Sequence, residues 1–97
     1  MGGAYAVLTI GCALSGQAAK GIECGQRAVK LLENTQDQSA LSYAYWALGL
    51  CHTQIGEFQE ALVAQRRALA IAETIGDAAM AVSATWGVGI IHAARGT

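Results

Sequence analysis

The feature that most constrains this chain is an internal repeat with a period of 40 residues. Trp46 and Trp86 lie 40 residues apart, and many of their neighbours recur at the same offset. The recurring pairs are Asp37 with Asp77, Ala44 with Ala84, Gly49 with Gly89, His52 with His92, and, one step earlier, Tyr45 with Tyr5, Leu48 with Leu8 and Ala68 with Ala28. A repeat of this length cannot bury its apolar face alone, so the units must stack on one another.

The composition indicates one all-helical domain that carries little charge. The 97 residues include no proline, 54% are hydrophobic and only 13% are charged. Such a low charged fraction indicates that part of the apolar surface meets a partner. The net charge is −1 and no basic run is longer than Arg66-Arg67. The sequence therefore gives no electrostatic reason to expect nucleic acid or anionic lipid as a partner.

Apolar periodicity predicts five helices. Between Ser39 and Ile55 the apolar residues follow the i, i+3, i+4, i+7 spacing of one helix face. Gly56 and Gly76 are expected to end helices, and Asp77 is expected to cap the helix that follows it. The predicted helices span 4–14, 18–34, 38–55, 57–75 and 78–95, within a single domain 1–97 whose repeat units are 2–36, 37–76 and an incomplete 77–97.

The second unit resembles the tetratricopeptide repeat, a pattern of bulky, Leu-Gly, aromatic and alanine positions at fixed spacing. The residues that carry it are Tyr45, Leu48, Gly49, His52, Gly56, Phe58, Ala61 and Ala68. The 40-residue period exceeds the about 34 residues usual for that family, so the chain is similar to its long-repeat variety. Gln65 departs from the pattern, because the family usually has an apolar residue there. The resemblance implies a right-handed solenoid of antiparallel helix pairs, with helix A first and helix B second in each unit.

Small residues at a fixed phase predict close contacts between helices. Gly21, Gly49, Ala61 and Gly89 are expected to lie where two helix backbones approach, because a larger side chain would push them apart. A glycine inside a helix costs about 0.5–1 kcal/mol relative to alanine. Close packing at these positions is therefore expected to offset that loss.

The geometry of the resembled family places part of each A helix on an inner, concave surface. In this chain that surface would be apolar and would include Ile10, Tyr43, Trp46, Leu50, Gln54, Trp86 and Ile90. The alternative is that both tryptophans simply belong to the core. Each tryptophan adjoins the family's interior position instead of occupying it, which favours a role in facing a partner. A partner that covered one indole would gain at most roughly 4–6 kcal/mol.

The resemblance implies a non-catalytic protein–protein interaction scaffold. The family's best-known peptide mode clamps a carboxylate of a chaperone tail with Lys, Asn and Arg, but this chain has Ala6, Ile10, Ala47, Ser83 and Gly87 at those positions. An apolar groove suits an amphipathic helix or an extended hydrophobic peptide better. Two alternatives are a purely structural oligomerisation module and a ligand-sensing segment of a bacterial signalling regulator.

No residues have the spacing of a catalytic, cofactor or metal site. His52 and His92 occupy the same slot in successive repeats with no neighbouring ligand set, so we expect partly buried structural histidines that face the helix packing. Cys12, Cys24 and Cys51 lack a C-x-x-C spacing and are expected to be buried thiols in a reducing compartment. We therefore expect no enzyme activity, no cofactor and no metal.

The apolar run from Ala6 to Leu14 resembles the core of a short signal peptide. No Lys or Arg precedes it, the repeat register passes through it, and it is much shorter than a membrane span. We therefore expect a cytoplasmic protein that does not bind membranes. The third A helix has no following B helix to cover it, so either the chain is cut from a longer protein or its open ends pair with another copy. We expect self-association through the chain's ends and apolar inner face, with a dimer as the default.

Overall fold

The computed structural model describes residues 17–34 and 36–96, which fold into four helices and, within those ranges, no strand. The helices are α1 (Ala18–Glu33), α2 (Gln38–Gln54), α3 (Phe58–Ile75) and α4 (Ala78–Ala94). Each boundary lies within one residue of the predicted one, and the all-α class is confirmed. The predicted first helix, 4–14, falls outside the described residues.

Aspartates begin two of the helices, and a glycine in a left-handed conformation ends a third helix. Asp37 Oδ1 accepts a hydrogen bond from the backbone N–H of Ala40 at 3.0 Å, and Asp77 Oδ1 accepts one from Met80 at 3.0 Å. Gly76 follows α3 with a φ of 74°, a conformation that favours glycine. The predicted aspartate cap and glycine stop are therefore confirmed.

The helices stack in chain order as repeated pairs. α1 packs on α2, α2 on α3 and α3 on α4, while α2 also packs directly against α4. Among the described helices, α1 and α3 make no contact with each other. The two A helices of the described residues, α2 and α4, therefore lie side by side, and the B helices α1 and α3 pack against them.

Alanine makes up much of the buried core, which allows the helix axes to lie close together. The fully buried alanines are Ala28, Ala44, Ala47, Ala61, Ala68, Ala72 and Ala84. Small side chains at helix contacts avoid both voids and overpacking. The full burial of Ala61 and the burial of Gly21 agree with the close contacts expected at both positions.

The structure corrects the prediction that Gly49 and Gly89 play the same role. A Cβ atom on Gly49 would lie 2.5 Å from Gln65 Nε2, so the Gln65 side chain would have to shift to admit one. Gly89 is exposed, and a Cβ there would have no described atom within 4 Å, so the close contact predicted at Gly89 was wrong. In α4 the close contact falls at Gly87 instead, where a Cβ would lie 2.7 Å from Gln65 Cδ.

Candidate partner-binding surface

The predicted groove residues that the structure describes lie on the two adjacent A helices. α2 carries Tyr43, Trp46, Leu50 and Gln54, and α4 carries Trp86 and Ile90, while Ile10 lies outside the described residues. The side chains at positions 43, 46, 50 and 90 are half-buried, whereas those at 54 and 86 are exposed. α2 packs directly against α4, so the two helices that carry these residues are neighbours.

Trp46 is held at the contact between the two A helices. Its indole Nε1 donates to the backbone oxygen of Ser83 at 3.2 Å, which links α2 to α4. The ring of Tyr43 lies beside it, with the centroids 5.8 Å apart and the planes inclined at 50°. Tilted contacts at such a distance are favourable for aromatic pairs. Trp46 is thus fixed in orientation but remains partly accessible.

A glutamine fills the space behind this surface. Gln65 of α3 is fully buried, and its Nε2 donates to the backbone oxygen of Trp46 at 3.1 Å. Its Oε1 is also buried and has no hydrogen-bond partner. The amide lies between Gly49 of α2 and Gly87 of α4, because a Cβ on either glycine would come within 3.0 Å of the Gln65 side chain. One polar side chain therefore contacts both A helices.

Trp86 lies in a different environment from Trp46. It is 61% exposed, and Val82, one turn earlier on α4, is 69% exposed. An open groove of about 520 Å³ between α3 and α4 is lined by Leu69, Glu73, Ala81, Val82, Thr85 and Trp86. The structure thus brings Trp46 together with Tyr43 and Ser83, and Trp86 together with residues of α3.

The two histidines of the repeat differ. His52 is 8% exposed, and its Nδ1 donates to Glu57 Oε1 at 2.7 Å, which ties the end of α2 to the start of α3. This agrees with a structural histidine. His92 is exposed, so the prediction that it faces the helix packing was wrong. The reason is that α2 and α3, the described helices that pack on α4, leave this part of it exposed to solvent.

A second, smaller groove lies between α2 and α3, with a volume of about 320 Å³. It contains Tyr45 and His52 of α2, and Val63 and Arg67 of α3. The guanidinium carbon of Arg67 lies 5.8 Å from the centroid of the Tyr45 ring, within the range of a cation–π contact. This groove was not predicted, because it depends on how α2 and α3 cross.

Two searches of the described residues bear on other functions. No group of three or more His, Cys, Asp or Glu side chains within 17–34 and 36–96 is arranged to hold a metal ion. In the same part of the chain, every helix is too short or too polar to cross a membrane.

Comparison with protein families gives one match. Residues 11–74, more than half of the chain, match the family model described as Tetratricopeptide repeat. The matched segment includes α1, α2 and most of α3. Neither curated proteins nor solved structures gave a match. The match agrees with the resemblance that Tyr45, Leu48, Gly49 and Ala61 indicate in the sequence.

Proposed function

Because the chain belongs to the tetratricopeptide repeat family, we propose that it is a non-catalytic interaction module that binds an apolar peptide or helix on its A helices. Tetratricopeptide repeats generally mediate protein–protein interaction. The observation that carries the proposal is Trp46, an indole oriented by Ser83 and Tyr43 yet still partly exposed. A rigid aromatic anchor of this kind is typical of the centre of an interface.

The hydrogen bonding of Trp46 determines which part of its side chain is available to a partner. Its indole N–H is already bonded to Ser83, so the ring supplies apolar area and no free donor. Since the ring is already held in place, a partner pays little for ordering it. Leu50 and Ile90 extend the apolar area on the neighbouring helix turns, and the exposed amide of Gln54 lies in the last turn of α2.

The proposed surface carries no charge. None of the predicted groove residues on α2 and α4 is an Asp, Glu, Lys, Arg or His. We therefore expect a partner with an apolar contact face and an affinity that changes little with salt concentration. The compartment proposed for this function is the cytoplasm. Its support is that the three cysteines show neither an even count nor a C-x-x-C spacing.

Selection from a random peptide library displayed on phage tests the function. We expect the selected peptides to be enriched in apolar residues, and Leu50→Asp to weaken their binding at least about tenfold by placing a charge in a desolvated contact. Arg66→Ser, on the exposed side of α3, is the control and should leave the affinity within about twofold. Peptides without apolar enrichment, or equal effects of the two substitutions, would contradict the proposal.

A second candidate is homotypic assembly, and the observation that favours it is the open groove that contains Val82 and Trp86. Two neighbouring apolar side chains that are both more than half exposed are typical of an interaction site. Pairing of two copies with two-fold symmetry would cover them in both subunits. Sedimentation equilibrium tests this, since a monomer at tens of micromolar would leave the groove open to a different partner.

A further inference from the structure

Only one of the two polar atoms of the buried Gln65 amide has a described hydrogen bond. Its Nε2 donates to the backbone oxygen of Trp46, whereas its Oε1 is buried with no hydrogen-bond partner among the described residues. A buried acceptor without a hydrogen bond destabilises the folded state, and an apolar side chain of similar size would avoid that loss. Unsatisfied groups of this kind in otherwise well-packed cores often mark positions where function sets the residue.

The contacts of Gln65 converge on Trp46. The Gln65 amide of α3 binds the main chain of Trp46, and the Trp46 indole in turn binds the main chain of Ser83 on α4. The same amide lies against Gly49 of α2 and Gly87 of α4, two positions that have no side chain. Gln65 therefore touches both A helices at the level of the indole.

We propose that Gln65 is a positioning residue for the candidate surface: it keeps α2 and α4 at the separation at which the Trp46 indole reaches Ser83. This inference rests on the proposed function in one respect, which is that the surface around Trp46 binds a partner. The position of Trp46 itself can be measured without a partner.

A purely space-filling role makes a different prediction. If Gln65 only fills volume, Gln65→Leu should leave the environment of Trp46 unchanged, because leucine packs well in a helical core. If Gln65 positions Trp46, the same variant should free the indole even when the fold and thermal stability are retained. Removing the amide also removes the unpaired Oε1, which favours a higher melting temperature.

The experiment uses Trp46 as the sole fluorophore, in a Trp86→Phe background. We expect Gln65→Leu to shift the Trp46 emission to longer wavelength and to raise its acrylamide quenching constant roughly twofold, because the indole loses its fixed contact. Circular dichroism checks that the helices remain. Gln65→Met is the second variant if the leucine variant does not fold.

Gln65→Glu supplies a conservative rescue. A protonated carboxyl can donate to the Trp46 oxygen as Nε2 does, whereas an ionised carboxylate can only accept. Trp46 should therefore resemble the parent at acidic pH and lose its contact as the pH rises through the pKa of the new carboxyl. The Trp86→Phe parent, measured at each pH, is the control.

A matched glycine pair on α4 completes the test. Gly87→Ala leaves Gln65 in place but displaces its amide, so it should change the Trp46 emission in the same direction as Gln65→Leu. Gly89→Ala, two residues later, meets no described atom and should leave the emission unchanged. Parent-like emission and quenching in the Gln65→Leu or Gln65→Met protein, or a Gln65→Glu protein whose emission follows the parent at every pH, would overturn the proposal. Failure of peptide selection would instead count against the proposed function alone.

Discussion

α2 and α4 carry the same repeat pattern, yet one face of the helix is buried in α2 and exposed to solvent in α4. Ser42 of α2 is fully buried, whereas Val82, its equivalent 40 residues later, is 69% exposed. Gly49 is buried against Gln65, whereas its equivalent Gly89 is exposed. The more polar residue of the first pair thus lies inside and the more apolar one outside.

The opposite face is buried in both helices. Ala44 and Ala84 are fully buried, as are Cys51 and Ile91, which occupy the same register. Among the described helices, α2 packs against α1, α3 and α4, whereas α4 packs against α2 and α3. The repeat pattern therefore determines that each A helix forms and how it packs on the preceding helices. Burial of its other face depends on which neighbour follows.

The largest expected effect compares Gly49→Leu with Gly89→Leu. Leucine at position 49 would collide with the Gln65 side chain, and we expect a loss of about 3 kcal/mol or more in the free energy of unfolding. Leucine at position 89 should change it by less than about 1 kcal/mol, because that side of α4 is open. Urea denaturation measures both. Similar losses would show that the two faces are equivalent after all.

The second comparison lies within α4, between Gly87→Ala and Gly89→Ala. We expect Gly87→Ala to destabilise by about 1–3 kcal/mol through contact with the Gln65 amide. Gly89→Ala should stabilise by about 0.5–1 kcal/mol, since alanine favours the helix and meets nothing. Thermal and urea denaturation should therefore give opposite signs for two glycines of the same helix. Stability changes of the same sign for both variants would show that the close contact with Gln65 is not at Gly87.

The third comparison concerns the open face of α4 and the proposed homotypic assembly. A Val82→Ser, Trp86→Ser double variant should lower the association constant about tenfold or more, because it removes exposed apolar contact area. Val63→Ser on α3 is the matched control, because that valine is also more than half exposed and lines the other groove. Analytical ultracentrifugation measures both, and a larger effect of Val63→Ser would move the interface to the α2–α3 groove.

The smallest expected effect separates the two histidines. His52→Gln should cost about 0.5–1.5 kcal/mol, since it weakens the bond that ties Glu57 to the end of α2. His92→Gln should stay within about 0.5 kcal/mol, the range usual for exposed positions. Equal costs in urea denaturation would show that His92 is as important to packing as His52.

Local signals predicted the fold well. Periodicity located the four described helices, and Asp37, Asp77 and Gly76 act within a few residues of their own positions, so their roles could be predicted from the chain alone. The resemblance also predicted which residues lie on the A helices. How deeply equivalent residues are buried in each repeat unit could not be predicted, because the burial of Gly89 and His92 depends on which helices lie beside them.

The same limit applies to the candidate surface. The sequence identified Gln65 as a departure from the repeat pattern but gave it no role. Its contact with Gly87 joins residues of different helices, and the crossing of α3 and α4 decides which glycine it meets. The bond from Trp46 to Ser83 likewise depends on the distance between α2 and α4. The sequence did contain a signal for this contact, since a glutamine at a normally apolar position indicates a polar partner.

The most direct test of the proposed binding surface is fluorine NMR of protein labelled with 5-fluorotryptophan, titrated with an apolar peptide selected against it. Trp46 and Trp86 give two resonances, which Trp86→Phe assigns. We expect the Trp46 resonance to shift and saturate with added peptide, and Leu50→Asp to abolish that shift at the same peptide concentration. A Trp46 resonance that does not move while the peptide binds, or a shift confined to Trp86, would contradict a partner-binding surface centred on Trp46.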